Sequence, residues 1–563
     1  MVIKISQSMS YRMLRKKQQI QLLRILNCNS PPTRESQLIW KVLIHDKYSK
    51  NVLRSAFDEN FDVLLSKNGV TYHADINLKR SRIRDVPVVY LVEANENNLN
   101  LILKDIESNI YDSFYINFIS KIDNELLRDF AKEVATKSDG RAICGVFDSY
   151  LDFISEDDRK FELFDNSNSL FESIYDRSQQ LSSLTIICDK ITEKLLSVVK
   201  TIGQIPLIMS KGDLAKICND MLKEKITNQI TKNPNFLQRN ERPLILIFDR
   251  SFDFLTMVHH ATTYDSLIDD LLGIESRKND HKNDEKNNDD GFLYINNGEF
   301  RIDKKNDAFW KDNRHKPFDQ VLLNINELVQ NFRKDYKSIE NDIGGAMAEM
   351  SGIKERQESV TTHPKICDRL LSIIREKKID KLFKFEVDCI SKSSCRFSDC
   401  EIDTNTLTTK DKLRLLAVAY MTGSLSNNDG ELNNNEFSFL KNLEMFKTFS
   451  QQDTGIVASV IGRFGRFSDN GTSLLSKMPI VDFVRRAMAG NDEGFDISNI
   501  SPESPNVRKN AIVFIIGPGC MSEFDGFEML NEEKKAEGVE IEYGCTTMLR
   551  PTQFAEELVR VFQ

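Results

Sequence analysis

At 563 residues the chain is too long for a single hydrophobic core and implies about three domains. A formal charge of −9, with 29% charged and 40% hydrophobic residues, describes an ordinary globular protein. It argues against a general nucleic-acid binder, which would carry a basic surplus. No run approaches the roughly 18 apolar residues of a membrane span, and the ten cysteines lack framework spacing, as suits reduced thiols in the cytosol.

From Met1 to Arg34 there is no acidic residue, which a mitochondrial presequence would also show. The favoured reading is a first helix with Leu14, Leu22, Leu23, Ile25 and Leu26 turned inward and Pro31-Pro32 as its stop. Residues 39–44 then read as a strand, followed by a helical pattern through Leu53, Phe57, Phe61, Leu64 and Leu65 that ends at Gly69. Further strands are expected at Val70–His73, Val86–Val92 and Phe114–Phe118, with a helix through Leu99, Ile102, Leu103 and Ile106. Short strands alternating with helices predict an α/β domain with a mostly parallel sheet. The basic run from Lys79 to Arg84 lacks aromatic partners and reads as a solvated or partner-facing loop.

Two amphipathic stripes follow. Leu126, Leu127, Phe130, Ala131 and Val134 predict one helix; Ile143, Val146, Phe147, Tyr150 and Leu151, spaced by three and four, predict a second, joined through Gly140. Such stripes usually just pack together, but the small Ala131 leaves room for a groove that could take a peptide's apolar anchor.

Strands are expected again at Ile205–Ile208 and Leu244–Phe248. From about 263 to 499 helical periodicity dominates, as in Val321, Leu322, Ile325, Leu328, Val329 and Phe332, and strand signal nearly vanishes. Polar inserts at 277–290 and 424–436 read as mobile loops. Strands at Ala511–Ile516 and Val539–Tyr543 and a final helix return to α/β. Some fifty residues of this kind rarely fold alone, so they are expected to complete the sheet containing Leu244–Phe248, with the helical region as an insertion.

No positive case for catalysis emerges. Neither GxGxxG nor GxxxxGK[ST] is present, and Pro518 removes a donor from the turn Gly517-Pro518-Gly519-Cys520. Asp249 and Asp253 offer paired carboxylates after a strand; the alternative to a nucleotide-dependent enzyme is that Asp249 pairs with Arg250 or caps a following turn. His259 and His260 are neighbours and point apart. Cys389, Cys395 and Cys400 lack a CxxC pair and read as free thiols. No catalytic, cofactor or metal residue is assigned.

Several ordered segments resemble the SM (Sec-one/Munc-eighteen) family of syntaxin-binding SNARE regulators. Trp40–Asp46, Asp85–Tyr90 and Tyr111–Phe118 are similar to its first domain, and Arg242–Asp253 to its central signature. Thr256, Met257, His259, His260, Tyr264 and Asp265, Phe309-Trp310 with His315 and Pro317, and Tyr543–Thr547 resemble its ER–Golgi, or Sly, branch. The resemblance implies a three-domain arch: an α/β domain over 1–150, a discontinuous α/β domain over 151–262 and 500–563, and a mainly helical, SNARE-guiding domain over 263–499. It implies a cytoplasmic, monomeric, non-enzymatic regulator that promotes SNARE assembly and vesicle fusion and reaches ER and Golgi membranes through SNAREs. An N-terminal syntaxin peptide would bind at Leu127, Phe130, Ala131, Ile143 and Val146, with Phe147 adjacent. Met209 stands where the family often has arginine, the helical hairpin is short at its tip between Asn341 and Gly352, and Pro364 is expected to start or kink a helix.

Overall fold

The computed structural model describes residues 14–31, 38–83, 85–138, 140–165, 181–238, 242–275, 292–340, 346–391, 407–423, 478–500 and 508–561, with a few positions in between. Helix α1 (Leu14–Leu26) precedes β1 (Lys41–His45), α2 (Lys47–Ser55), α3 (Phe61–Lys67), β2 (Val70–Asp75), β3 (Pro87–Val92), α4 (Glu96–Glu107), β4 (Ser113–Phe118), α5 (Asn124–Lys137) and β5 (Ile143–Asp148). The five strands form one parallel sheet in the order β2-β1-β3-β4-β5. Its helices start where side-chain oxygens take up free backbone N–H groups: Asp46 caps α2, Asn60 α3, Asn95 α4 and Asp123 α5. Both faces are covered, which is why its strands read as nearly continuous apolar runs. The helical pattern read as one element from Leu53 to Leu65 is split into α2 and α3 at Asn60. Ile39 and Trp40, expected to open the first strand, precede it and are exposed.

A second sheet is built from distant parts of the chain. It takes β6 (Ile154–Asp157), β7 (Lys160–Glu162), β8 (Leu207–Lys211) and β9 (Leu244–Asp249), with α6 (Leu181–Ile202) and α7 (Asp213–Lys232) between them. After a long excursion come α8 (Leu255–Val258), α9 (Tyr264–Leu271), β10 (Ile274–Glu275), β11 (Phe292–Ile295), β12 (Phe300–Asp303), α10 (Ala308–Asn313), α11 (Phe318–Glu340), α12 (Ala346–Lys377), α13 (Ile379–Ser391), α14 (Thr409–Met421), α15 (Pro479–Met488) and β13 (Asp496–Asn499). The chain then adds β14 (Asn510–Gly519), α16 (Met521–Lys534), β15 (Glu540–Met548) and α17 (Pro551–Val561). The seven-stranded order is β13-β8-β9-β14-β15-β7-β6. Ala511 to Ile516 pair in parallel register with Leu244 to Asp249, so the C-terminal strands complete the earlier sheet as expected. Ile245 and Ile247 face one buried cluster while Leu244, Leu246 and Phe248 face another.

The middle of the chain is less purely helical than its periodicity suggested. Strands β10, β11 and β12 make a small antiparallel sheet, and β13 adds antiparallel to β8. These strands are two to four residues long, too short to leave a clear alternation. Pro364 does not start a helix; it lies inside α12. Anchors around it hold the helix through the missing N–H: His363 meets Asp307 and Tyr264 at 3.1 and 2.9 Å, and Ile366, Cys367 and Leu370 are buried. The insert at 277–290, most of that at 424–436, Cys395, Cys400 and part of the hairpin tip lie outside the described residues. Cys389 is a buried core thiol, and Met209 is buried in the second sheet.

Helix α1 links the two sheets. Leu22, Ile25 and Leu26 pack with Leu43, Val89 and Leu91 of the first sheet, while Leu14 joins the core of the second. Leu23 is only half-buried. Arg15 reaches Asp58 at 2.7 Å and Asp158 at 3.5 Å, and Gln18 donates to the Phe153 carbonyl.

Candidate functional site

At one edge of the first sheet α5 and β5 lie side by side. Phe130 and Val134 are buried in the cluster beneath α5, and Leu126, Leu127 and Ile143 pack against it. Ala131 follows Leu127 by one helical turn and is exposed. On β5, Val146 stands in register with Ile116, whose side chain belongs to that same cluster, yet Val146 remains 37% exposed. The structure therefore brings Leu127, Phe130 and Ile143 together and sets Ala131 and Val146 as exposed apolar positions on the two flanking elements.

Two expectations are corrected here. The second stripe is a strand, not a helix, and its three-residue spacing comes from a bulge. Phe114 pairs with Ile143 but Tyr115 pairs with Gly145, so Cys144 is an extra residue. The Tyr115 hydroxyl is pushed up to about 12 by burial and by its hydrogen bond to Cys144, which places that thiol on the face toward α1. Ile143 and Val146 then fall on the α5 side, three residues apart. Phe147, in register with Asn117, is on the opposite face: Asn117 accepts from Asn29 just beyond α1, and the Phe147 ring folds over Gly145. Phe147, expected beside Ile143 and Val146, does not share their face. Sequence reasoning also missed Asp148, whose Oδ1 accepts the Ile122 N–H at 3.0 Å; a carboxylate ending a strand beside a helix entrance was the available signal.

The places where α/β sheets usually hold ligands are occupied by the protein's own groups. In the first sheet the strand order reverses between β1 and β3, the position of a nucleotide in comparable folds. There Asp46 Oδ1 accepts from Ser49 N, and Oδ2 from Glu93 N and Asn98 Nδ2. In the second sheet Asp249 neither pairs with Arg250 nor caps the following turn. It accepts from Leu214 N and Ala215 N at 3.1 and 2.8 Å and so caps α7, a contact that requires glycine at position 212, where φ is +107°. Burial pushes the Asp249 carboxyl up to about 7. Asp253 accepts from Thr256 N and Oγ1 and organises the next turn. Arg250 pairs instead with buried Glu523 at 2.6 Å and donates to the Pro518 carbonyl, which closes the glycine turn to a phosphate.

Elsewhere the same pattern holds. The basic loop is not wholly solvated, since Arg80 is buried against Asp105, which also accepts from Tyr90. A cavity of about 570 Å³ beside β7 is lined by Asp157, Asp269, Arg314 and Arg550, and Asp157 pairs with Arg314 and Asp269 with Arg550. Asp265, His315 and Asp525 lie close enough to suggest a metal centre. However, Arg314 Nε donates to His315 Nε2, His315 Nδ1 donates to Asp525 Oδ1, and Thr263 and Ser266 donate to Asp525 Oδ2. Both ring nitrogens of His315 and both carboxylate oxygens of Asp525 are thus engaged within the protein, and Asp265 faces Arg314 at 3.6 Å. Among the described residues no helix is long and apolar enough to cross a membrane.

Comparison with known proteins agrees with this architecture. The chain is 24% identical to human Sec1 family domain-containing protein 1, with 98% of each covered. It is 26% identical to the SLY1 protein of Saccharomyces cerevisiae over 94% of this chain and 91% of that one. Among solved structures it resembles Sly1p, crystallised with an N-terminal peptide of Sed5p, with a TM-score of 0.75, 23% identity and 98% of both chains covered. It also resembles the SM protein Vps45 in complex with the Qa SNARE Tlg2, with a TM-score of 0.69 and 15% identity over 98% of this chain and 99% of that one. The model of the Sec1 family matches residues 41–557, and the chain belongs to that family.

Proposed function

We propose that this protein binds syntaxin-type SNAREs and promotes their assembly and vesicle fusion in ER–Golgi transport, without catalysing a reaction. The observation that carries the reading is the apolar edge of the first sheet, where exposed Ala131 and Val146 flank half-buried Leu127 and Ile143 above buried Phe130. It offers a recess for an apolar side chain of a partner's N-terminal peptide, and the similar Sly1p was crystallised with such a peptide. The capping duties of Asp46, Asp249 and Asp253 support a non-enzymatic role over the nucleotide-dependent alternative. In this reading the working units are 1–150, 151–262 with 500–563, and 263–499, and the α11–α12 pair guides the SNARE bundle. The protein acts as a monomer in the cytoplasm and meets ER and Golgi membranes through its SNARE partners.

The test uses a labelled N-terminal peptide of Sed5p and fluorescence anisotropy. Ala131→Trp should fill the recess and weaken binding about ten- to a hundredfold, the worth of one buried aromatic anchor. Lys132→Ala, on the exposed side of α5, should bind as the parent does. Circular dichroism and melting temperature establish that both variants fold. Unchanged binding by folded Ala131→Trp would place the peptide elsewhere.

A further inference from the structure

The recess lies between two elements that run in opposite directions, and each end is closed differently. At one end α5 turns back into β5 within a few residues. Ser138 N donates to the Val134 carbonyl at 2.8 Å, Gly140 N donates to Ser138 Oγ at 3.2 Å, and Ile143 N donates to the Gly140 carbonyl at 3.1 Å. Gly140 has a φ of +67°, so this end is fixed by a turn suited to glycine. At the other end no turn joins the two elements, although Ser149 N and Leu151 N donate to the Phe118 and Ile119 carbonyls of the segment that leads into α5. There the last residue of β5, Asp148, accepts the N–H of Ile122, two residues before α5 begins. Among the described residues this is the one side-chain hydrogen bond between β5 and the entrance of α5.

We propose that Asp148 is a positioning residue that holds the entrance of α5 against β5 and so sets the width of the peptide recess. The proposal rests on the reading of the groove given above. Ile122 is buried in the cluster beneath α5, and Asp123 next to it caps the helix by accepting from Glu125 N and Leu126 N at 2.8 and 3.3 Å. A hydrogen bond at Ile122 is therefore transmitted to the first turns of α5, which carry Leu127 and Ala131. Backbone bonds from Ser149 N and Leu151 N to the Phe118 and Ile119 carbonyls fix the chain before Ile122, and the Asp148 bond extends that attachment to the entrance of α5, opposite Val146 on the edge strand β5.

The full chain is compared as parent, Asp148→Ala, Asp148→Asn and Ala131→Trp, with the labelled N-terminal peptide of Sed5p as probe. Asp148→Ala should weaken binding about three- to tenfold, the worth of one hydrogen bond, and speed amide exchange at Ile122. Asp148→Asn keeps an acceptor oxygen and should bind within about twofold of the parent. If Asp148→Ala binds as the parent does while Ala131→Trp does not, the groove stands and the positioning role is wrong. Equal losses in Asp148→Ala and Asp148→Asn would mean that the charge itself meets the peptide, which also overturns it. If Ala131→Trp leaves binding unchanged, the groove reading itself fails.

Discussion

The backbone N–H of Leu14 donates to Glu542 Oε1 at 2.8 Å, so the first residue of α1 is tied to a strand at the other end of the chain. Burial raises the Glu542 carboxyl from its ordinary 4.5 to about 8, against the opposing pull of that hydrogen bond. The folded state thus holds the proton more tightly than the unfolded one. The stability contributed by the protonated form is complete below about pH 4.5 and is lost as pH rises through about 8. Glu542→Gln retains the acceptor and removes the ionisation. It should melt above the parent on the alkaline side, by on the order of 1 kcal/mol or more, and converge with it in acid. Thermal melts across pH check this; a constant offset would refute it.

Asp249 is expected to matter to stability alone. Asp249→Asn keeps one acceptor for the start of α7 and should cost roughly 1 kcal/mol, whereas Asp249→Ala strands both amides and should cost roughly 2–3 kcal/mol. Urea unfolding measures the difference. Nucleotide hydrolysis that disappeared in Asp249→Asn would contradict the non-enzymatic reading.

Arg250 and Glu523 form a fully buried pair, with Tyr543 also donating to Glu523 at 2.5 Å. Arg250→Met alone leaves an uncompensated carboxylate and should destabilise by roughly 3–5 kcal/mol. Adding Glu523→Leu should recover most of that loss. A double-mutant cycle in urea tests the coupling, and additive losses would show that the pair is not energetically linked.

Much of the fold was legible because buried parallel strands announce themselves as unbroken apolar runs. Leu244 to Phe248 and Ala511 to Ile516 are such runs, and they are partners. The shared face of Ile143 and Val146 was legible for a less direct reason. A regular strand would alternate, but the bulge at Cys144 puts Ile143 and Val146 on one face three residues apart, which imitates a helix turn. The spacing thus put Ile143 and Val146 on one face but read a strand as a helix, and extending the helical pattern to Phe147 crossed to the other face. Arg80 and Asp249 were misjudged because their partners, Asp105 and the amides of Leu214 and Ala215, depend on tertiary packing that local sequence does not encode.

The placement of β14 has a consequence for a nascent chain. β9 borders β14 in the finished sheet, and Arg250 at its end donates to the Pro518 carbonyl 268 residues further on. During synthesis β9 therefore waits with one edge of backbone donors and acceptors unmatched until β14 emerges. Such an edge invites wrong pairing, and contacts this distant in sequence form slowly. The protein should depend on chaperones while that edge is open, and loss of residues 510–548 should injure it more than loss of a surface loop, because they supply the inner strands β14 and β15 of the seven-stranded sheet.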